Sequence, residues 1–217
     1  MGYYIYINGF HGTDINATEE ILKTKKFKTR TNLRHWLGQG TYFFRDDPVQ
    51  AMSWARITVQ EKMGTRDKTM KANVIKASIP VHSSKYMNLN SREGLEKLNR
   101  LIVRIEESVF KLGYSVQETN RIDQEHKFRC MILDLIPKEI IKVIESSFSS
   151  HTPSFLKNKE YKELMGLEMH SIQVCVRDNK LIDKASISIY EEAIINNKNF
   201  IQKPSKKKKS SRVIKYE

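Results

Sequence analysis

With 217 residues, a formal charge of +13, 39% hydrophobic and 29% charged residues, the chain has apolar material for one good core and not for two full domains. No stretch approaches the ~20 apolar residues of a membrane span, and the start, Met1-Gly2-Tyr3-Tyr4-Ile5-Tyr6, lacks the basic and long apolar regions of a secretory leader. The expectation is a cytoplasmic protein of one domain, residues 1–195, followed by a basic, mobile tail, 196–217.

Taken in order, Tyr3 to Ile7 is β-branched and aromatic and runs into Asn8-Gly9, which predicts a buried first strand delivering His11 at its end. Thr13 or Asp14 opens a loop or a short helix through Leu22. Between Lys23 and Arg34 there are six Lys or Arg and no acid, among them Lys25, Lys26, Lys28 and Arg30. Thr41 to Phe44 reads as a second strand. Asp46-Asp47-Pro48 then starts a helix to about Met63, with Ala51, Met52, Trp54, Ala55, Ile57 and Val59 as its apolar face and Trp36 and Trp54 as packing residues.

Asn73 to Val81 reads as a strand closed by Pro80, and Tyr86 to Leu89 as a short extended piece. Ser91 caps a long helix ending near Leu112. Phe128 to Ile136 is a compact apolar segment, Ile140 to Ile144 a strand, and Ser146 to Lys162 a polar loop with room for a short helix. Ser171 to Arg177 and Ala185 to Tyr190 complete the predicted strands. Cys130 and Cys175 lie in apolar runs without metal-type spacing, so buried thiols are expected and no metal site.

The charge is not confined to the tail. The last fifteen residues carry a net +6 and the remainder +7, a surface that attracts polyanions, nucleic acid first and an acidic partner protein second.

Two short segments carry chemistry: His11-Gly12-Thr13, and Gly38-Gln39-Gly40-Thr41-Tyr42-Phe43-Phe44. Each places polar or aromatic side chains beside glycines that let another molecule approach the backbone. Gly38 and Gly40 lack the third glycine and the strand-to-helix context of a dinucleotide fingerprint, which sets a Rossmann reading aside.

With the late strand that bears Gln173, these segments resemble the ADP-ribosyltransferase superfamily of the diphtheria-toxin and poly(ADP-ribose) polymerase type. That family marks its NAD pocket with His, Tyr and usually Glu on three strands. The resemblance implies an α+β fold with two facing, mostly antiparallel sheets forming an NAD cleft and with peripheral helices. It implies that His11 holds a ribose, Gly12 pairs with the nicotinamide carboxamide, and Tyr42 stacks on the nicotinamide ring. Thr13 and Phe44 complete the cofactor-binding set, and Gln173 contacts the ribose hydroxyls.

Gln173 stands where polymerising members have Glu, and an amide is no base. One ADP-ribose per acceptor is therefore expected, with Glu163, Glu168 or Asp178 as candidate bases. Basic character adds RNA or single-stranded DNA as acceptor, with Lys25, Lys26, Lys28, Arg30 and Arg34 as contacts. Small size and charge resemble bacterial toxins of toxin–antitoxin and phage-defence systems, which implies an acidic antitoxin partner. Transfer to protein side chains, or a binding domain without turnover, are the alternatives.

Overall fold

The computed structural model describes residues 2–29, 35–63, 69–111, 121–149 and 170–196. Residues 197–217 of the expected tail, Arg30, Arg34, Glu163 and Glu168 lie outside these, while Asn196, placed in the tail by sequence, is described. Seven strands form one hydrogen-bonded sheet: β1 Tyr4–Asp14, β2 Thr41–Arg45, β3 Thr69–His82, β4 Tyr86–Asn88, β5 Val143–Ser149, β6 His170–Val176 and β7 Ser188–Asn196. Their order is β4-β5-β6-β2-β1-β3-β7, and every pairing is antiparallel except β4 with β5. The fold is thus mixed α/β with a mostly antiparallel sheet. Among the described residues there is one hydrogen-bonded sheet and not two separate ones, because β1 and β2 join the two halves through the pairs Gly9–Arg45 and Phe10–Phe44.

Four helices accompany the sheet among the described residues: α1 Ile15–Thr24, α2 Pro48–Lys62, α3 Arg92–Lys111 and α4 Arg121–Leu135. Their starts are written in side chains that accept from orphan amides. Asp14 takes the Ala17 N–H at 3.0 Å, Asp47 takes that of Gln50 at 2.9 Å, and Ser91 Oγ takes that of Gly94 at 3.1 Å. No helix among the described residues is long and apolar enough to cross a membrane.

Alternation along the strands sorts the core onto two faces. Ile7, Phe43, Ile75, Ile79, Val174 and Val176 point to one, covered by Ile21 of α1, Phe27, Ile182 and Ile187. On the other, α2 packs Ala51, Met52, Ala55 and Val59 against Phe10, Phe44, Ala72 and Val74. Beyond α2, Leu101 of α3 and Leu133 of α4 cover Met87, Ile144 and Cys175 on that same side.

Several predicted elements move. β1 runs through its glycines to Asp14, so His11 lies inside the strand and not at its end. Phe128 to Leu135 belongs to α4, with Ile136 just past its end. β5 and β7 start three residues later than expected and run on to Ser149 and Asn196. Pro80 is an internal strand residue opposite Tyr6. In α2 the buried stripe of Ala51, Met52, Ala55 and Val59 leaves Trp54 50% and Ile57 43% exposed, so Trp54 is not a core packing residue. Trp36 does pack, edge-on against Phe148 at 4.5 Å between ring centroids.

Candidate functional site

The pairing of β1 with β2 stops in the middle of the sheet. Asp46 N–H donates to the Asn8 carbonyl at 3.0 Å, so Asn8, and with it Phe10 and Gly12, directs its backbone groups toward β2. Phe10 finds Phe44 there. Continued register would give Gly12 to Tyr42, but that pair is not made. The His11 side chain takes the place instead, with Nδ1 2.8 Å from the Tyr42 carbonyl oxygen. The two strands form a fork with an imidazole in its crotch and Gly12, itself buried, as the next β1 residue that would have faced β2.

A carbonyl oxygen only accepts, so Nδ1 carries the proton and donates, which leaves Nε2 as an acceptor on a neutral ring. Burial holds the ring neutral by lowering its pKa below the ordinary 6.5, against the opposing pull of the Tyr42 carbonyl. Phe27 and Phe43 fix the ring, with centroids 5.3 and 5.7 Å away. Such a His can accept a hydroxyl proton in a hydrogen bond without itself being charged.

The glycines serve the protein's own packing first. A Cβ on Gly12 would lie 1.9 Å from the Ala51 carbonyl oxygen of α2, and one on Gly40 would lie 2.5 Å from Cys175 Sγ and 2.7 Å from the Val176 carbonyl oxygen. The close neighbour that each glycine admits is α2 and β6, respectively. For Gly12 this leaves its backbone groups, not its Cα face, turned to the fork.

His11, Tyr42 and Gln173 fall on three neighbouring strands, β1, β2 and β6, yet not on one face. Tyr42 opposes Cys175 and Phe44 opposes Gln173, which places Tyr42 and Gln173 together on the face that α2, α3 and α4 cover. His11 sits on the other with Phe43. What His11 meets is the Tyr42 backbone. The Tyr42 ring is half-buried among Leu37, Met87 and Cys175. Its hydroxyl donates to the Gly38 carbonyl and accepts from Leu37 N–H, both at 2.7 Å. Burial raises this phenol well above its ordinary range. Tyr42 thus anchors the 37–40 turn. Gln173 is half-buried between Phe44 and Ser146.

The remaining candidates separate. Phe44 is buried under α2 with no face left for a ligand. Thr13 is buried opposite Asn73 of β3. Lys25 Nζ donates to the Ile187 carbonyl at 3.1 Å, Lys28 pairs with Glu20 at 2.7 Å, and Lys26 is exposed. Asp178 lies five residues beyond Gln173, held below the ordinary carboxylate range by Lys142 at 2.8 Å, which spends it as a base. Cys130 and Cys175 are buried free thiols, and burial pushes Cys175 up to about 12.

Two neighbours of the fork escaped the sequence reading. Phe27, inside the basic segment, closes one side of His11. Asn73 is fully buried on the His11 face with neither side-chain amide atom partnered. A lone amide within Ala72-Asn73-Val74-Ile75 was the available signal for the second.

Comparison with known proteins adds one relative. The chain is 26% identical over 202 residues to an uncharacterized protein of Methanocaldococcus jannaschii, covering 83% of this chain and 86% of that protein. No family model matches the chain, and no solved structure matches it.

Proposed function

We propose that the chain is an NAD-dependent mono-ADP-ribosyltransferase whose acceptor is RNA or single-stranded DNA, of the toxin or phage-defence kind. The observation that carries this reading is the fork, in which a neutral His11 keeps Nε2 as an acceptor beside Gly12, a buried glycine that has no β2 partner in the ladder. A ribose hydroxyl donates to Nε2, and a carboxamide pairs with a glycine backbone in the manner of a strand. Cleavage of the nicotinamide bond releases a neutral leaving group, so clamping the ribose and accommodating charge at C1′ is the main demand on the protein. Gln173 supplies no base, in keeping with a single transfer.

Incubation with labelled NAD and, separately, RNA, single-stranded DNA and protein tests this directly. Label in nucleic acid, lost in His11→Ala, is the expected result; label in protein alone moves the acceptor to protein side chains. A second reading, a binding domain without turnover, is favoured by the placement of Tyr42 and Gln173 on the face opposite His11. Absence of both label and nicotinamide release would select it.

A further inference from the structure

At the end of the sheet where β5 begins and β6 finishes, Lys138, Glu139, Lys142, Arg177, Asp178 and Lys180 line a cavity of about 230 Å³. Arg177 is only 6% exposed. Its Nη2 donates to the Ile136 carbonyl at 2.7 Å and its Nη1 to that of Ile141 at 3.1 Å, while its buried Nε has no hydrogen-bond partner. The turn after α4 thus holds the guanidinium rigidly, but no carboxylate pairs with it among the described residues.

Asp134 and Glu139 act on Arg177 only through space, without an ion-pair contact, and keeping a buried cation without a directly paired carboxylate is costly. Of the two acids in the lining, Asp178 is committed to Lys142 Nζ at 2.8 Å and to Lys180 N–H at 3.1 Å, and Glu139 is exposed. Four cations against two acids leave a net +2 around the cavity. Asn179 ties this turn to the lysine-rich segment, donating from Nδ2 to the Phe27 carbonyl at 3.0 Å and accepting at Oδ1 from Thr41 Oγ1 at 2.8 Å. The cavity therefore adjoins the same sheet end at which the β1/β2 fork opens.

We propose that this cavity is a phosphate-binding site, with Arg177 as its fixed buried cation and Lys138, Lys142 and Lys180 as its rim. The site stands whether or not NAD is the substrate of the fork. A guanidinium is the preferred partner of a phosphate oxygen, and mobile lysines add charge around it. The phosphate belongs either to a nucleic-acid backbone or to a free small molecule.

The test uses the full chain without NAD and compares inorganic phosphate with chloride at matched ionic strength. A saturable, phosphate-specific rise in Tm is expected, and it should vanish in the Lys138→Ala/Lys180→Ala double variant, whose exposed positions leave both carbonyl bonds of Arg177 intact. A parallel titration with a short single-stranded RNA distinguishes the sources. For a backbone phosphate, the variant binds RNA more weakly and the slope of log K against log salt flattens by about 1. For a free phosphate, RNA affinity is unchanged while the Tm rise is lost. No phosphate-specific rise, or an equal rise in the variant, overturns the proposal. Weaker RNA binding without that rise overturns it too, since removing two exposed lysines anywhere has that effect.

Discussion

Along β3, strand β1 is paired at eleven positions, from Tyr4–His82 to Asp14–Ala72; along β2 it is paired at two. One edge carries a continuous ladder, and the other is interrupted by a side chain that claims a carbonyl the ladder would have used. The ladder supplies the rigidity that lets the opposite edge stay unpaired. Unpaired strand edges attract any extended partner. Here the interrupted edge is short and is filled by the His11 imidazole against the Tyr42 carbonyl.

The largest expected loss comes from Gly12→Ala. Its Cβ would meet the Ala51 carbonyl oxygen at 1.9 Å and the carbonyl carbon at 2.8 Å, both backbone atoms of α2. A cost of about 3 kcal/mol or more is expected in denaturant unfolding. A variant of unchanged stability would break the view that α2 braces the β1 side of the fork.

Next is the paired part of the same edge. Arg45, partner of Gly9, bonds the buried Glu145 through Nη1 at 2.8 Å. Arg45→Ala strands that carboxylate, and about 3 kcal/mol should be lost. Adding Glu145→Gln should restore part of it. If it restores nothing, the ion pair is not what holds the two halves together there.

His11→Asn sharpens the contrast most. One hydrogen bond goes, so stability should fall by only about 1 kcal/mol, whereas NAD-dependent nicotinamide release should fall roughly 100-fold if the imidazole contacts the substrate. Equal, modest losses in both would reduce His11 to a structural wedge.

The smallest effect is on pH dependence. In the folded protein His11 lies below its ordinary value of 6.5, so the unfolded chain takes up the proton first as pH falls. Its contribution is fully present above that value and is lost progressively as pH falls toward the folded pKa. The decline of Tm between about pH 7 and 5 should therefore be shallower in His11→Asn. His35, also lowered by burial, acts in the same sense in both proteins. An unchanged slope would contradict the buried neutral ring.

What could be read from sequence was set by local chemistry. Asp47-Pro48 and Ser91 announced their helices because capping is a short-range event, and β6 announced itself by its apolar run. Phe128 to Ile136 did not, since a short apolar run suits a strand as well as a helix. The motif residues of β1 and β2 stood out as candidates by their glycines and polar side chains. Their distribution over two faces was not, because a face depends on register, and register is decided between strands. Arg177 was read only as the last residue of a strand. Its burial depends on carbonyls contributed by the turn after α4, which no local pattern links to it.

Pro80 has a consequence for how copies of this chain meet. Past Lys76, β3 has no partner from β7. Ser78 covers that edge through its own bonds, accepting from Asp183 N–H at 2.9 Å and donating to Ser186 Oγ at 2.8 Å. Two residues on, Pro80 has no N–H to offer on the outward side. A strand from another molecule would find one position already occupied and the next unable to donate. The sheet thus ends where its own chain ends it, and self-association by strand addition is blocked at this corner.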